Sequence, residues 1–466
     1  MTLFARTAAH AAHYLENLSD RPVAAMASLA DLKRRLARPL PEEGSVAETV
    51  IDELVRDVEG GLMGSVGGRF FGWVIGGTLP AALAADWLTS TWDQNAASNV
   101  TAPAEAMVEE VAGSWLKALL GLPPSASFAF VTGCQMAHAT ALAAARHRLL
   151  RERGWDVERA GLSGAPRLRL LATDSRHESL LRALRLLGVG TDAVVTVPAD
   201  RMGRMDMDGL AEALQRIGRE PAIVWLQAGD LNTGSFDAFE PACALARAAN
   251  AWVHVDGAFG LWAATSERYR HLLAGVGRAD SWATDGHKWL NVPFDSGFAF
   301  VADASAHRAA FAQDVSYVAP DTELRNQKDF NPEWSRRGRA FPVYAAIRSL
   351  GRSGISELVE RCCAHTRRLV EGIGRLPGAE VVAEPVINQG LVRFLGPDGN
   401  HDRATDRVIA RIQADGVAWF GGATWQGQRV MRISVCNWLT SEQDVERTLD
   451  SVAAVLARGK PVRRAG

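Results

Sequence analysis

The chain has 466 residues, of which 47% are hydrophobic and 22% charged, a composition typical of a globular protein with two or three packed units. Its 51 basic and 53 acidic residues give a formal charge of −2, which argues against nucleic acid as the main partner. The five cysteines have no CxxC spacing, which argues against a disulfide framework and against a metal site. The sequence shows neither an apolar leader nor an apolar run of about 18 residues, so export and membrane spanning are not expected. A cytoplasmic protein is therefore expected.

The first 60 residues are expected to form a helical arm, because helical patterns there are separated by Pro39, Pro41 and Gly44. Residues 61–340 are expected to form a large domain, since short apolar runs alternate with helical patterns between residues 128 and 303. Runs that are apolar on both faces predict an α/β fold with a mostly parallel central sheet covered by helices. The predicted strands are Phe128–Val131, Leu168–Thr173, Ala222–Leu226, Trp252–Val255 and Phe298–Val301, with helices at Ala137–Leu150, Glu178–Leu187 and Pro241–Ala249.

Residues 341–466 are expected to form a smaller C-terminal α/β domain. A helical pattern runs over Val343–Leu376, with interruptions near Gly351 and Gly354, and strand patterns follow at Val392–Phe394 and Val430–Val435. In parallel sheets, ligands bind at the carboxyl ends of the strands. Site residues are therefore expected in the loops that leave the predicted strands.

Asp256 ends one of these apolar strands, directly before a turn that contains two glycines. Burial of an unpaired carboxylate costs several kcal/mol, so this side chain requires a cationic or hydrogen-bond-donating partner. The protonated ring nitrogen of a pyridine would be such a partner. An aspartate that only caps a helix or a turn is the competing interpretation.

Lys288 follows His287 in a stretch that is poor in charged residues. Burial is expected to lower the pKa of its amine toward the range that Schiff-base chemistry uses. A lone lysine is more often a solvated surface charge. The functional interpretation of Lys288 therefore depends on Asp256 and on two loops.

The first loop contains Gly133, Cys134 and Gln135 between a strand and a helix, where backbone N–H groups and the helix dipole can bind a phosphate. It matches neither the dinucleotide fingerprint nor the Walker loop, and an ordinary strand–helix turn is an equally good interpretation. The second loop carries His177 at the start of a helix. Its imidazole either lies flat against a cofactor ring or is only a polar residue at a helix start.

Together these segments resemble the group II pyridoxal-phosphate (PLP)-dependent amino acid decarboxylases, the family of aromatic-amino-acid and glutamate decarboxylases, from about residue 20 to 455. His254–Ala258 is similar to the family's H-V-D-A-A motif, and Asp285–Leu290 is similar to the segment of its cofactor lysine. Gly229–Asp237 resembles a loop near the cofactor. Phe70–Pro80 and Thr101–Glu109 resemble segments that help to form the substrate pocket.

The resemblance implies a PLP enzyme of the aspartate aminotransferase fold (fold type I), in which Lys288 holds the cofactor as a Schiff base and Asp256 pairs with its ring nitrogen. His177 and Ala258 would enclose the ring, and His287 would orient the lysine or relay a proton. The other cofactor candidates are Gly133, Cys134, Gln135, Asn232 and Asp285, and the substrate candidates are Trp73, Ile75, Phe330 and Arg432. The family also implies an amino acid substrate and a homodimer.

Some residues depart from the family pattern. Gln135 stands where a hydroxyl residue would bind the phosphate, and His138 replaces a smaller polar residue. The family's mobile loop carries a tyrosine that protonates the carbanion left by decarboxylation, but the corresponding stretch here, Asp329–Arg337, has none, and the nearest upstream tyrosine is Tyr317. Relatives with phenylalanine in that place release an aldehyde by oxygen-dependent deamination, and Phe330 lies near it.

The expected reaction is decarboxylation of an L-amino acid, with aromatic amino acids among the candidates. Three alternatives remain open from the sequence: oxidative deamination to an aldehyde, carbon–carbon lyase chemistry, and a catalytically silent scaffold that only binds ligands.

Overall fold

The computed structural model describes residues 2–313 and 325–458, which contain two β-sheets and the helices that pack against them. The α-helices are α1 (Leu3–Glu16), α2 (Leu29–Leu36), α3 (Ala47–Val58), α4 (Pro80–Trp92), α5 (Pro103–Leu120), α6 (Cys134–Arg151), α7 (Val157–Ala160), α8 (Ser179–Leu186), α9 (Met207–Ile217), α10 (Phe239–Ala248), α11 (Ala304–Ala309), α12 (Ala340–Gly374), α13 (His401–Asp415) and α14 (Glu442–Arg458). The strands are β1 (Ser127–Val131), β2 (Arg169–Ala172), β3 (Val194–Thr196), β4 (Ala222–Gln227), β5 (Trp252–Asp256), β6 (Ser281–Asp285), β7 (Gly297–Val301), β8 (Ala379–Ala383), β9 (Gln389–Phe394), β10 (Gly421–Trp425) and β11 (Gln428–Ser434).

The larger sheet has seven strands in the order β1-β7-β6-β5-β4-β2-β3. The pairs β2–β3, β2–β4, β4–β5 and β5–β6 are parallel, and β7 runs antiparallel to both of its neighbours. Every residue of β4 and β5 is buried, because helices cover both faces of the sheet. The predicted α/β fold with a mostly parallel central sheet is confirmed.

The smaller sheet is antiparallel, in the order β10-β11-β9-β8, and packs against α12 and α13, which in turn contact α14. The interruption predicted in the long helix is present, since Gly351 has a φ of 63° and kinks α12. A residue with a side chain rarely adopts a positive φ, so glycine suits this position. Strands β3, β6, β8 and β10 were not predicted from the sequence.

Three helices, α1 to α3, occupy the first 60 residues, and α1 and α2 have no buried residues. The predicted boundaries of the arm and of the two domains stay predictions. Phe71 donates its N–H to the carbonyl of Trp419 at 2.9 Å, so the chain near residue 71 pairs with the C-terminal part of the molecule. Among the described helices, none is long and apolar enough to cross a bilayer.

Candidate active site

A cavity of about 320 Å³ lies at the carboxyl ends of β1, β4, β5 and β6. Parallel strands end at the same edge of a sheet, so the loops after them converge there. Ten of the predicted site residues line this cavity: Trp73, Gly133, Cys134, Gln135, His177, Asp256, Ala258, Asp285, His287 and Lys288. Two separate parts of the sequence resemblance, the lysine segment and the aspartate strand, therefore meet in one place.

Asp256 is buried at the end of β5 and accepts the N–H of Ala258 at 3.2 Å, so it also serves as a turn aspartate. His138 Nε2 lies 3.5 Å from its second carboxylate oxygen. Burial alone would raise the pKa of Asp256, but the opposing effects of His138, His177 and Lys288 are larger and hold this pKa well below its usual range. Asp256 is thus an anion that can pair with a cationic ring nitrogen.

Lys288 places its Nζ 3.1 Å from Oδ2 of Asp285, which is itself buried. The sequence predicted a lowered pKa for the amine of Lys288, and this prediction is wrong. Burial is the largest single effect and acts to lower the pKa of Lys288, but the charge and hydrogen bond of Asp285, together with smaller effects of Cys134 and Asp256, outweigh it and the net shift is upward. Asp285 therefore holds the amine as an ammonium group until another group takes its place.

Asp285 also fixes the glycine loop, because its Oδ1 accepts the N–H of Cys134 at 2.5 Å. The loop lies directly on β7, and a Cβ atom at Gly297 would be 2.4 Å from Cα of Gly133. Only a residue without a side chain fits at position 297. Beside this loop, Nε2 of Gln135 is buried and has no hydrogen-bond partner among the described residues, so it is a donor free to bind an anion.

Two histidines of the cavity have defined acceptor atoms. Nδ1 of His177 accepts the N–H of Ser179 at 3.1 Å, and Nδ1 of His287 accepts the N–H of Ser296 at 3.1 Å. In both neutral rings the proton is therefore on Nε2. Burial lowers the pKa of both histidines, which favours these neutral forms.

Trp73 is 58% exposed and has a φ of 50°, an uncommon conformation for a residue with a side chain. Its ring packs against Trp419, with 4.6 Å between the ring centroids, and against Phe70 at 6.0 Å. Ile75, in contrast, does not line the cavity and packs against the cluster of Val23, Phe70 and Trp419. Trp73 is thus a partly exposed aromatic residue of the cavity wall, supported by two aromatic neighbours.

The structure does not bring Asn232, Phe330 or Arg432 to the cavity wall. Asn232 lines a neighbouring cavity of about 580 Å³, and its N–H donates to Asp230 at 2.8 Å. Arg432 is buried on β11, where burial lowers its pKa to about 10 against the opposing charge of Asp230.

Phe330 lies in a 3-10 turn away from the cavity, and its ring packs 5.2 Å from that of His307. Its carbonyl oxygen is 2.9 Å from Nε2 of the same histidine. Tyr317 lies outside the described residues. Of the other three tyrosines, Tyr14 lies on α1, Tyr269 is buried and Tyr344 stacks on Trp115, and none of the three lines the cavity.

The candidate site residues did not include six residues of the cavity wall, although two of them, Gly229 and Leu231, lie in the segment predicted to be near the cofactor: His138, Ser179, Gln227, Gly229, Leu231 and Phe259. His138 had a usable signal, because Cys134 and His138 are four residues apart at the start of α6 and so face the same side. Cys134, His138 and Asp256 hold metal-ligand atoms within 4.8 Å of one another. The prediction of no metal site therefore stays a prediction.

Comparisons with known proteins identify the class. Residues 30–395 match the family model of the pyridoxal-dependent decarboxylase conserved domain. The chain therefore belongs to the pyridoxal-dependent decarboxylases, a family of carboxy-lyases, and its cofactor is PLP.

The relatives differ in substrate. The aromatic-L-amino-acid decarboxylase of Bacillus atrophaeus is 25% identical over 455 residues, which cover 95% of this chain and 92% of the relative. The cysteine sulfinic acid decarboxylase of Mus musculus is 30% identical over 380 residues, covering 79% of this chain and 75% of the relative. The crystal structure of Oryza sativa TDC with PLP and tryptamine has a TM-score of 0.91 at 22% identity, covering 98% of this chain and 97% of that one, and so confirms the fold.

The residues of the cavity fit this cofactor. A buried anion at Asp256 suits a protonated pyridine nitrogen, and the amine of Lys288 suits an aldehyde. The unpartnered Nε2 of Gln135 lies beside a loop at a helix N-terminus, where a phosphate would accept its hydrogen bond.

Proposed function

We propose that this enzyme decarboxylates an L-amino acid, with PLP held covalently by Lys288. The observation that carries the proposal is that Lys288 and Asp256 line the same cavity of about 320 Å³. Each of them would meet a different part of one cofactor molecule, the aldehyde and the ring nitrogen.

PLP supplies an electron sink for the bond that breaks at Cα of the substrate. In this proposal Asp256 keeps the ring nitrogen protonated and so maintains that sink. Asp285 holds Nζ of Lys288 at 3.1 Å in the cavity, where this amine would bind the aldehyde of the cofactor. The ammonium form of Lys288, which Asp285 favours, would be an acid able to return a proton to Cα of the substrate.

The other residues would bind and orient the cofactor. Gln135 Nε2 and the backbone N–H groups after Gly133 would bind the phosphate. His177 and Ala258 would contact the two faces of the ring. The interaction of His287 with Ser296 leaves its Nε2–H directed to Asp285 at 3.4 Å, which supports an orienting role for this histidine.

We propose an aromatic amino acid as the substrate. Within the described part of the chain, Lys288 is the only lysine or arginine on the cavity wall, so an acidic substrate side chain would lack a fixed cation. Trp73 and Phe259 line the same wall and offer aromatic surface. The similarity to the Bacillus atrophaeus enzyme over 95% of the chain supports the same choice.

A product assay tests both parts of this proposal. The holoenzyme is incubated with L-tryptophan, L-tyrosine, L-phenylalanine, L-glutamate and L-cysteine sulfinate, and released carbon dioxide and amine are measured. We expect equal amounts of carbon dioxide and amine from an aromatic substrate. A preference for the acidic substrates would overturn the substrate class but not the reaction.

Oxidative deamination is the second candidate, because none of the described tyrosines lines the cavity. It would give aldehyde, ammonia and peroxide and would require oxygen, whereas the proposed reaction proceeds equally under nitrogen. Tyr317→Phe tests whether this residue protonates the product. We expect Y317F to form aldehyde and F330Y to behave like the wild type, since Phe330 packs away from the cavity.

Carbon–carbon lyase chemistry would give neither carbon dioxide nor aldehyde plus peroxide, and the same assay detects it. The binding-scaffold alternative is not retained, because the family consists of enzymes.

We also propose a homodimer in the cytoplasm. The arm and α4 expose large apolar side chains that lack cover within the described chain, among them Phe4 (81% exposed), Trp87 (44%) and Trp92 (47%). All five cysteines are free thiols, as expected in a reducing compartment. Light scattering of the purified protein should give a mass near twice 50.2 kDa.

A further inference from the structure

Five buried side chains form a continuous line from the cavity into the sheet, and we call them the histidine chain: Asp256, His138, His254, Ser281 and Trp252. Nδ1 of His138 lies 3.0 Å from Nε2 of His254, and Nδ1 of His254 lies 2.8 Å from Oγ of Ser281. Nε1 of Trp252 donates to the same hydroxyl at 2.8 Å. At the other end, Nε2 of His138 lies 3.5 Å from Oδ2 of Asp256.

The direction of these hydrogen bonds follows from Trp252, whose indole can only donate. Among the described residues, Oγ of Ser281 has no partners besides Trp252 and His254, so its own proton goes to Nδ1 of His254. The proton of a neutral His254 is then on Nε2 and is donated to Nδ1 of His138. His138 in turn carries its proton on Nε2, which lies 3.5 Å from Oδ2 of Asp256 and 3.4 Å from Sγ of Cys134.

The surroundings keep the chain in this arrangement. His138 is 1% exposed and His254 is fully buried, and both rings pack on the indole of Trp225, with centroid distances of 4.5 and 4.8 Å. Burial lowers the pKa of His254 well below its usual value, so that ring is neutral. Each hydrogen bond is therefore strong in a medium of low polarity, and a reversed direction would leave the Ser281 proton without an acceptor.

We infer that His138, oriented by His254 and Ser281, is a positioning residue that keeps Asp256 ionised and directed at the ring nitrogen of the cofactor. This inference rests on the proposed role of Asp256. The other groups that face Asp256 are Lys288, His177 and the thiol of Cys134. Lys288 would exchange its Asp285 partner for the cofactor, whereas His138 would stay beside Oδ2 of Asp256 while the N–H of Ala258 donates to Oδ1.

The test measures the ring nitrogen itself. The apoenzyme is loaded with PLP that carries ¹⁵N in the ring, and the ¹⁵N chemical shift and the dissociation constant of PLP are recorded for four proteins: wild type, His138→Phe, His138→Gln and His307→Phe. His307 is the matched control, since it is a fully buried histidine with two short contacts, to Ser127 and to the Phe330 carbonyl, outside the cavity.

We expect H138F to move the ring-nitrogen signal toward that of an unprotonated pyridine and to weaken PLP binding about tenfold. H138Q restores a donor toward Asp256 and should recover most of both values. H307F should lower thermal stability but leave the signal unchanged. Equal effects of H138F and H307F on the signal would overturn the inference.

Two further measurements are needed. The first tests the inference if the His138 variants do not fold, and the second tests the proposed role of Asp256 separately. Ser281→Ala keeps both imidazoles, and ¹⁵N-histidine spectra should show Nε2–H forms of His138 and His254 in the wild type but not in S281A. Nδ1–H forms in the wild type would contradict the proposed direction. If Asp256→Asn leaves the ring-nitrogen signal unchanged, the proposed role of Asp256 fails, whatever the result for His138.

Discussion

Two buried carboxylates of this enzyme titrate in opposite directions. Asp256, at the end of β5, has a pKa well below its usual range, whereas the pKa of Glu105, on α5, is raised to about 7. Burial acts to raise both values, so burial does not explain the difference.

The neighbours explain it. Asp256 faces two histidines and Lys288, while the next charge along the helix from Glu105 is Glu109, whose like charge raises the pKa further. Glu105 accepts the N–H of Ala340 at 2.9 Å, at the start of α12, and its other oxygen has no partner among the described residues. The neighbours of Asp256 therefore stabilise its charged form. Glu105, in contrast, stabilises the contact between α5 and α12 most when its carboxyl is protonated.

The largest effect is expected where Lys288, whose charge lowers the pKa of Asp256, is removed. Lys288→Ala abolishes covalent attachment of PLP, and we expect kcat to fall on the order of 10³-fold or more. Borohydride reduction followed by mass measurement of the protein checks the attachment. Lys288→Arg is the control, because it keeps a cation next to Asp285 but has no amine for the aldehyde. If K288R still binds PLP covalently, another lysine holds the cofactor.

Removing the anion itself should have the next largest effect. Asp256→Asn leaves the ring nitrogen without its charged partner, and we expect kcat to fall on the order of 10²-fold. Asp280→Asn is a suitable control, since Asp280 is a mostly buried aspartate that accepts the N–H of Val253 at 2.7 Å on the same sheet. Steady-state rates that fall equally in D256N and D280N would show a general effect on the sheet rather than on the cofactor.

The contrast also shows what the sequence can reveal. Asp256 and Lys288 were predictable because each belongs to a short local pattern, an apolar strand ending in a carboxylate and a lysine next to a histidine. The sheet was predictable for the same reason, since its central strands are apolar on both faces. Strands β3 and β8, at sheet edges and only partly buried, lack that pattern.

The contacts among the neighbours of the two carboxylates were not predictable from the sequence. His138 meets His254 across 116 residues, and Arg336 meets Glu109 at 2.9 Å across 227 residues. Such pairs exist only after the strands and helices have packed. The same holds for Lys288, where local sequence predicted burial but not the ion pair with Asp285, so the direction of its pKa shift was wrong.

The raised pKa of Glu105 predicts that the stability of the protein depends on pH. A carboxyl whose folded pKa is about 7 and whose usual value is 4.5 binds its proton more tightly in the folded state, so stability is lost between pH 4.5 and 7. Glu105→Gln keeps the acceptor for Ala340 but cannot ionise. We expect it to raise the free energy of unfolding by about 3 kcal/mol at pH 9 and to change it little at pH 4.5. Urea unfolding at both pH values measures this, and an equal gain at both would contradict the assignment.

The smallest effect is expected at Cys134, which touches Asp256 without carrying charge. Its Sγ lies 4.0 Å from Oδ1, and burial raises the pKa of this thiol well above its usual value, so it stays protonated. Cys134→Ser keeps a small neutral donor and leaves the backbone N–H that Asp285 binds. We expect kcat and PLP affinity to change less than about twofold. A loss of PLP affinity comparable to that of H138F would contradict this expectation and would place the thiol of Cys134 among the groups that control Asp256.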